Sequence, residues 1–428
     1  MEAQEGGHVW GKGVTSGNDD DVMTCEDTQT LPCGGGNCHG MPVSSVHLMT
    51  VNLQVRDTPL GYAPPVGPPV RFTVRYNHRG AGRNVLGQNW TDDWISWITD
   101  SPQSPLADVK YHPGGGGART FTGFDPNTQT FAYQQYDQTL LRRTGPDSYE
   151  LVWPDGSKKV FAKPDGSVGS TRKVYLTQIA DPAGNALTLS YNGEMEVTAI
   201  TDALGQTTTL SYGEITNSPP PCPCIDVDAN DFGTGVRFFF ALTNVTDPFG
   251  RSATFHYSLQ NAGCPRIKMV LNGIPVVTDD ACCSNTFLSL DSITDVQGLT
   301  SHFTYDSRGA YSSVSAVMTS MTTPYGTTTF STDNGSNPSY RFVETTYPDG
   351  SRERVEFNQS TNLGIPFSLP SSSVPQGMST WNQWRYTRNT YYWSREACAL
   401  AYGDYTKARI YHWLHEPNMT TTSARSAN

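Results

Sequence analysis

The chain has 428 residues, a formal net charge of −11 at pH 7, 36% hydrophobic and 16% charged residues, 40 glycines and 29 prolines. An acidic chain lacks the strongly positive surface that nucleic acids and anionic membranes bind, so we expect neither as a partner. No apolar run is long enough for a transmembrane helix, and the start at Met1 lacks the basic and apolar regions of a signal peptide. Low charge with abundant Gly, Pro and Tyr favours an all-β fold dense in turns.

Residues 1–40 are rich in Gly and Asp without hydrophobic periodicity, which predicts an extended N-terminal arm. The arm carries Cys25, Cys33 and Cys38. The segment Cys33–His39 resembles a haem-attachment pattern with a longer spacer, but no apolar segment flanks it. Disulfide bonding is therefore preferred to haem or zinc for these cysteines, and no cofactor is predicted.

Residues 41–145 are predicted to form β-strands that each have one apolar face. Val51, Leu53 and Val55 alternate with polar residues, and segment 70–77 alternates in the same way. Three tryptophans follow these strands: Trp90, Trp94 and Trp97. We predict that they anchor the core. A sugar-stacking platform, which would imply a glycan partner, is the alternative.

A hairpin motif recurs between residues 146 and 357. In its clearest copy, Val245–Tyr257, Asp247 can accept from turn N–H groups, Pro248 presets φ, and Gly250 takes a positive φ. The pattern Asp-x-x-Gly followed by Tyr also occurs in copies that start at residues 179, 200 and 293, with a degenerate copy at 321–330. The predicted structural turn residues are Asp181, Gly184, Asp202, Gly205, Asp247, Gly250, Asp295 and Gly298.

Wide gaps between the later copies predict insertions near residues 213–240 and 258–290. These insertions contain Cys222, Cys224, Cys264, Cys282 and Cys283. Insertions lack a core of their own, so we predict that disulfide bonds compensate, with the second insertion stapled either internally or to the first. The cysteines of the N-terminal arm are likewise predicted to tether it through disulfide bonds. Such bonds would indicate an oxidising compartment, and the odd total of nine cysteines leaves at least one thiol unpaired or joined to another chain.

The first insertion contains one weak candidate for a metal site. Asp226, Asp228 and Asn230 are spaced like the opening of a calcium loop. However, Asp231 stands where such a loop needs Gly, and Arg237 where it needs Glu. We therefore prefer a solvated acidic loop to a calcium site.

Residues 358–428 depart from the repeat pattern. A Ser/Pro-rich linker comes first, then an aromatic block that ends at Trp393. Ser394 is predicted to cap a short helix that Gly403 ends. Residues 408–415 are predicted to form one more strand, and the last residues a disordered tail.

The Asp-x-x-Gly hairpins ending in Tyr resemble the RHS/YD repeats of bacterial RHS proteins, Tc-toxin shells and teneurins. Segments 41–62, 70–77 and 87–90 are similar to the region that precedes these repeats in secreted bacterial RHS proteins, so the resemblance spans roughly residues 40–415. It implies stacked hairpins that spiral into a hollow cocoon around a toxin or cargo. Five copies are few for a complete shell, so we predict a curled ribbon, an open barrel or a partial cocoon.

The sequence contains no nucleophile elbow and no His-Glu-x-x-His pair, so no catalytic residue is predicted. A hydrolase whose two acids lie far apart in the chain stays open as an alternative. The resemblance implies an autoproteolytic site in larger RHS shells, and no segment here matches it. We therefore expect a non-enzymatic structural protein that is extracellular or on the cell surface.

A ribbon that stops early leaves a strand edge with unpaired backbone groups. We expect the chain to assemble through such edges, with copies of itself into a tube or fibre, or with a partner that supplies further repeats. The sequence leaves two alternatives open. The chain is a fragment of a toxin-encapsulating shell, or it is a surface adhesin that binds glycans or a partner protein.

Overall fold

A computed structural model describes residues 41–48, 50–79, 83–134, 137–215, 239–261, 267–271, 274–278, 286–308, 315–333, 340–358 and 389–412. Among these residues, strand content is 58% and helix content 4%, which confirms the predicted all-β fold. The pairings between described strands are antiparallel, and most of them join neighbours along the chain. Within the described ranges, no helix has the length and apolarity needed to span a bilayer.

The first strands form a small sheet, here called the inner sheet. It consists of β1 (Val43–His47), β2 (Asn52–Tyr62), β3 (Val70–Asn77) and β6 (Trp90–Asp92), in the order β1-β2-β3-β6. A two-strand hairpin of β4 (Arg83–Asn84) and β5 (Gly87–Gln88) lies between β3 and β6 in the chain. The apolar face follows the predicted alternation, since Leu53 and Val55 are fully buried while Arg56 is exposed.

A three-strand side arm follows the inner sheet. It contains β7 (Trp97–Asp100), β8 (Val109–His112) and β9 (Arg119–Phe121), paired in that order. Its buried face includes Ile98 and Tyr111. Tyr111 packs edge-on against Phe161 of a later strand at a ring-centroid distance of 5.7 Å, so the side arm shares the core of the hairpins that follow.

The remaining strands are β10 (Leu140–Gly145), β11 (Ser148–Val152), β12 (Lys158–Pro164), β13 (Arg172–Ala180), β14 (Ala186–Tyr191), β15 (Val197–Thr201), β16 (Thr207–Ile215), β17 (Phe239–Thr246), β18 (Ser252–Asn261), β19 (Ile267–Leu271), β20 (Ile274–Thr278), β21 (Thr286–Thr294), β22 (Thr300–Arg308), β23 (Ser315–Thr323), β24 (Gly326–Thr332), β25 (Tyr340–Thr346), β26 (Arg352–Asn358), β27 (Asn389–Trp393) and β28 (Arg409–His412). All except β19 and β20 pair in chain order into one continuous sheet, here called the ribbon. β19 and β20 form a separate hairpin inside the second insertion.

The side arm joins the ribbon at a fork in β13. The first half of β13, Arg172–Tyr175, pairs with β7, while Gln178–Ala180 pairs with β14. Arg172 donates to both carboxylate oxygens of the buried Asp100, at 3.0 and 2.6 Å, and Tyr149 donates to Asp100 Oδ2 at 2.6 Å. These charge-assisted bonds fasten the fork where the sheet divides.

The C-terminal elements cover the last hairpin of the ribbon. The helix α1 (Arg395–Ala401) begins as predicted at Ser394, whose hydroxyl accepts from Ala397 N–H at 3.3 Å. Gly403 has φ +81°, the left-handed conformation that suits the residue after a helix. The predicted strand over 408–415 is described only as β28, because residues beyond 412 lie outside the described ranges.

Candidate functional site: the inner face and the open edge of the ribbon

The predicted turn residues lie in four tight reversals of the ribbon. At Asp247, the Oδ1 atom accepts from the N–H groups of Phe249 at 3.0 Å and Arg251 at 2.9 Å, and Gly250 has φ +80°. The Oδ1 atoms of Asp202 and Asp295 accept from the equivalent two N–H groups, and that of Asp181 accepts from Asn185 N–H. The glycines Gly184, Gly205 and Gly298 have φ +87°, +81° and +80°. Each carboxylate therefore satisfies turn N–H groups, and each glycine adopts a conformation that favours Gly.

The second carboxylate oxygen of these acids has a different environment in each turn. The donors are Asn185 Nδ2 for Asp181 at 2.9 Å, Tyr62 OH for Asp202 at 3.2 Å, and Arg251 Nε for Asp247 at 2.7 Å. Asp295 differs, because its buried Oδ2 atom has no hydrogen-bond partner among the described residues. The four turns are thus alike in backbone geometry and unlike in the contacts of this oxygen.

The tyrosine of each repeat makes a bond that the sequence did not predict. Its hydroxyl donates to a backbone carbonyl fifteen residues upstream: Tyr191 to Leu176, Tyr212 to Val197 at 2.8 Å, Tyr257 to Leu242 at 2.6 Å and Tyr305 to Leu290 at 2.7 Å. The strand register shifts at each of these tyrosines. A shift of this kind interrupts the ladder and bends the sheet, so the tyrosine satisfies a backbone acceptor beside each bend.

The inner sheet packs against the buried face of the ribbon, and both share one hydrophobic core. The aromatic contacts between them have ring-centroid distances of 5.3 Å for Tyr62–Phe249, 5.8 Å for Phe72–Phe255, 5.0 Å for Trp90–Phe303 and 6.2 Å for Tyr76–Tyr305. Hydrogen bonds add to this packing: Trp90 Nε1 donates to Tyr305 OH at 2.8 Å, and Met318 N–H donates to Tyr76 OH at 2.9 Å. In these strands the ribbon's inner face is therefore covered by the chain's own first sheet.

Two acids of the inner sheet are buried in this core. Asp92 Oδ1 accepts from Trp94 N–H at 2.8 Å and Ile95 N–H at 3.0 Å, yet burial raises the pKa of Asp92 to about 7. Burial also raises the pKa of Asp57 to about 7, and the charge of Asp295 adds to the rise. Sequence reasoning passed over both acids. The available signal was their spacing, since Asp57 continues the inward alternation of Leu53 and Val55.

The three tryptophans of the first region have different environments. Trp90 and Trp94 are buried, at 1% and 5% exposed, as core anchors would be. Trp97 is only partly buried: its ring stacks on His112 at 4.6 Å, and Lys173 Nζ lies 4.9 Å from the ring centroid. Burial, with the charges of Lys110 and Lys173, lowers the pKa of His112 to about 4, so His112 is neutral at physiological pH. His112 and Lys173 therefore contact the Trp97 ring, which is the ring that a sugar would stack on.

The two ends of the ribbon differ in how their edges are covered. At β10, Phe131 N–H donates to Leu141 O at 3.0 Å and Arg143 N–H to Gln129 O at 2.8 Å, so an upstream segment covers the edge. At the other end, β28 pairs with β27, and none of the described strands pairs with its second edge. Ile410 in β28 is 47% exposed. As far as the described strands go, this edge of β28 has unpaired backbone donors and acceptors, with the apolar side chain of Ile410 nearby.

A polar network fastens the C-terminal elements to the ribbon near this end. Arg354 donates to Glu344 at 3.2 Å and to Glu356 at 2.9 Å, and its guanidinium lies 4.1 Å from the Phe342 ring centroid. Tyr405 donates to Glu356, which is 2% exposed. The buried carboxylate is therefore paired, as a buried charge requires.

Several predicted site residues lie outside the described residues. They are the calcium candidates Asp226, Asp228 and Asn230 and the disulfide candidates Cys25, Cys33, Cys38, Cys222, Cys224, Cys264, Cys282 and Cys283. Cys398, which was not among the disulfide candidates, is a buried free thiol in α1. Across the described ranges, no group of three or more His, Cys, Asp or Glu side chains is placed to hold a metal ion.

No protein-family model matches this chain, and no curated protein matches it. Solved structures are similar to it. The TcdB2-TccC3 crystal structure is 12% identical with a TM-score of 0.26, and the match covers 77% of this chain and 17% of that one. The N-terminal domain of effector protein SpvB from Salmonella typhimurium strain LT2 is 11% identical with a TM-score of 0.23, covering 64% of this chain and 93% of that one. The Photorhabdus luminescens Tc holotoxin pore is 11% identical with a TM-score of 0.22, covering 83% and 17%.

The chain thus spans 17% of the length of the Tc toxin chains that it matches. TM-scores this low carry no weight for fold or function. Both rest on the turns, the tyrosine bonds and the strand pairings of this chain.

Proposed function

We propose that this chain is a non-enzymatic structural protein of the RHS/YD-repeat type, extracellular or on the cell surface, that assembles through the open edge of its ribbon. The observation that carries the proposal is the repeated unit itself. The Asp–Gly turn, the register shift and the tyrosine-to-carbonyl bond recur together along one continuous sheet.

The repeated residues have mechanical explanations. The turn acids accept from backbone N–H groups, the glycines supply positive φ, and the tyrosines satisfy carbonyls beside the register shifts. No member of this set needs to touch a substrate for its presence to be explained. This supports a role in building a curved sheet rather than in catalysis.

The covered inner face bears on what such a sheet would hold. In the larger shells that the resemblance points to, the curved wall surrounds a cargo. Here the aromatic side chains Phe255 and Phe303 on the inner face contact Phe72 and Trp90 of the inner sheet. This packing favours a solid, self-supporting piece over a fragment whose described inner face lines a cargo space.

The edge at β28 supplies the route to assembly. An exposed strand edge pairs readily with another strand. We take the partner to be a strand from a second copy of this chain. Ile410 would lie in the strand that pairs with the second copy, where its half-exposed side chain could contact the neighbouring strand on the same face.

Size-exclusion chromatography with multi-angle light scattering, over a range of concentrations, tests the proposal. We expect the purified chain to form dimers or larger species whose population grows with concentration. Ile410→Lys should shift the chain towards monomer, because a charge on an edge strand opposes pairing. Leu400→Lys is the matched control: Leu400 is 78% exposed and belongs to α1 rather than to the edge strand, and its replacement should leave the mass unchanged.

A parent chain that stays monomeric at every concentration would contradict assembly through this edge. Equal effects of Ile410→Lys and Leu400→Lys would also contradict it, because the association would then depend on general surface charge.

A further inference from the structure

The repeated turns lie along one border of the ribbon. Successive strands are antiparallel and pair in chain order, so the turns close the same end of their hairpins, and the chain enters both insertions at the opposite border. Neighbouring turns touch. A Cβ atom added to Gly156 would lie 3.9 Å from Pro182 Cβ, and one added to Gly326 would lie 2.6 Å from Pro348 Cβ. This border, here called the turn rim, consists of residues 154–157, 181–185, 202–206, 247–251, 295–299, 323–326 and 347–350.

The middle of the turn rim exposes apolar side chains. Leu204 is 51% exposed, Phe249 57% and Tyr325 76%, and each precedes the glycine of its turn. No heavy atom of the described chain lies within 4 Å of the position that a Cβ atom would take at Gly205 or Gly250, so these turns project into solvent. Exposed apolar side chains grouped on one border mark a surface for a protein or a membrane.

The connector between β2 and β3 adds to the same surface. Tyr62 packs edge-on against Phe249 with ring centroids 5.3 Å apart, and a Cβ atom at Gly67 would lie 2.8 Å from Ala203 Cβ. Val66, which lies between Tyr62 and Gly67 in the chain, is 42% exposed. The connector therefore supports Phe249 from one side and leaves more than half of it in solvent.

The turn acids contribute little exposed charge to this surface. Asp202, Asp247 and Asp295 are 4%, 3% and 4% exposed, because their carboxylates accept from the turn N–H groups. Within these three turns the exposed charged side chain is Arg251, at 43%, and its guanidinium lies 5.7 Å from the Phe249 ring centroid. In a chain of net charge −11, the middle of the rim is therefore apolar with a single exposed cation.

We propose that the turn rim binds the surface of a neutral, zwitterionic lipid bilayer, with Leu204, Phe249 and Tyr325 inserted among the headgroups. Aromatic and aliphatic side chains favour the interface between headgroups and acyl chains, and the apolar area buried there drives binding. Arg251, beside Phe249, offers N–H donors to the lipid phosphates. The burial of the turn acids lets the rim approach these phosphates without repulsion from its own carboxylates.

The spacing of the turns favours lipid over a protein partner. Neighbouring strands lie ~4.8 Å apart, so adjacent hairpins of the ribbon place their turns roughly 10 Å apart. A protein partner needs a matched pocket for each of these separate side chains, whereas a fluid bilayer closes around them. The rim is formed by the ends of strands and the open edge by the side of β28, so the proposal goes beyond assembly through that edge.

Flotation of the full chain with vesicles of phosphatidylcholine tests the proposal, because protein assemblies without lipid do not float. We expect the parent to float with these vesicles. Adding phosphatidylserine to the vesicles should not increase the bound fraction, since the chain is acidic. Phe249→Ser should lower the partition coefficient by about tenfold, and the double variant Leu204→Ser/Phe249→Ser should lower it further, because each inserted side chain adds buried apolar area.

Phe240→Ser is the matched control. Phe240 is 61% exposed, close to the 57% of Phe249, but lies near the start of β17, at the opposite end of that strand from the turn. Its replacement should leave the bound fraction unchanged. Assembly through the open edge is judged separately, from the mass of Ile410→Lys in solution, so that each proposal can fail without the other.

Phe249→Trp gives a second readout that does not depend on a loss of binding. Lipids brominated in their acyl chains should quench its fluorescence beyond the quenching seen in the parent, and Phe240→Trp should add no quenching. A parent that does not float, equal losses for Phe249→Ser and Phe240→Ser, or binding that grows with phosphatidylserine would overturn the proposal. So would a Phe249→Ser variant that floats like the parent but has a lower mass in solution, because the rim would then join copies of the chain.

Discussion

The ribbon and the inner sheet are both antiparallel sheets, but they are specified in different ways. In the ribbon, a few residue types recur at fixed offsets, and each recurrence has the same bond, as Tyr257 to Leu242 and Tyr305 to Leu290 show. The inner sheet has no repeat, and its large aromatic side chains, such as Trp90, pack against the buried face of the ribbon. The comparison shows that repetition sets the local bends of the ribbon, whereas a unique sheet gives it a core.

If the inner sheet provides the core of the ribbon, the largest loss of stability should follow from removing one of the buried aromatic side chains of that sheet. Trp90→Ala deletes a side chain that is 1% exposed and contacts Tyr76 and Phe303 at ring-centroid distances of 5.6 and 5.0 Å. We expect a loss of about 3–5 kcal/mol in the free energy of unfolding, measured by chemical denaturation, because a large buried cavity remains.

Trp97→Ala is the matched control for that substitution. Trp97 lies in the side arm, is partly exposed, and stacks on His112. Its removal should lower the free energy of unfolding by clearly less than Trp90→Ala does. Equal losses at Trp90 and Trp97 would mean that the inner sheet is not the main core of the ribbon.

A smaller effect is expected from the repeated tyrosine bond. Tyr257→Phe removes a hydroxyl that donates to Leu242 O at 2.6 Å from a residue only 6% exposed. The carbonyl beside the register shift is left without this donor, so we expect a loss of about 1–3 kcal/mol in the free energy of unfolding. Tyr133→Phe, at a residue that is 62% exposed, is the control and should be neutral. If Tyr257→Phe left the free energy of unfolding unchanged, the tyrosine hydroxyl would not be one of the interactions that stabilise the ribbon.

The smallest expected effect concerns a single turn. Gly250 has φ +80° and open space where a Cβ atom would lie, so Gly250→Ala meets only backbone strain, at a cost of about 1–2 kcal/mol. Gly250→Asn should cost less, because Asn tolerates this conformation. Gly169, which has similarly open space without a positive φ, provides the control, and Gly169→Ala should not destabilise. Hydrogen exchange of the turn amides would report the same order of destabilisation among the variants. If Gly169→Ala lowered the free energy of unfolding as much as Gly250→Ala does, the explanation by backbone strain would be contradicted.

Local patterns in the sequence predicted much of the ribbon. The offsets between Asp247, Gly250 and Tyr257 define a hairpin because turn geometry depends on neighbouring residues. The start of α1 at Ser394 was predictable for the same reason. Alternation likewise indicated which face of β2 is apolar.

Long-range pairings were not predictable from these patterns. Alternation shows that Phe72 faces a core, but not that the core includes Phe255. The fork at β13 depends on a bulge and on Arg172 reaching Asp100, which are contacts between distant parts of the chain. The unpaired oxygen of Asp295 could not be seen either, because its turn reads like the other three in sequence.

The distance along the chain between the inner sheet and its contacts has a consequence for biosynthesis. Tyr76 accepts from Met318, a residue 242 positions later. At translation rates of about 5–20 residues per second, Tyr76 leaves the ribosome roughly 10–50 seconds before that partner. During this interval the apolar surface of the first sheet, including Phe72 and Trp90, awaits strands that have not been made, so we expect the nascent chain to need chaperones to avoid aggregation.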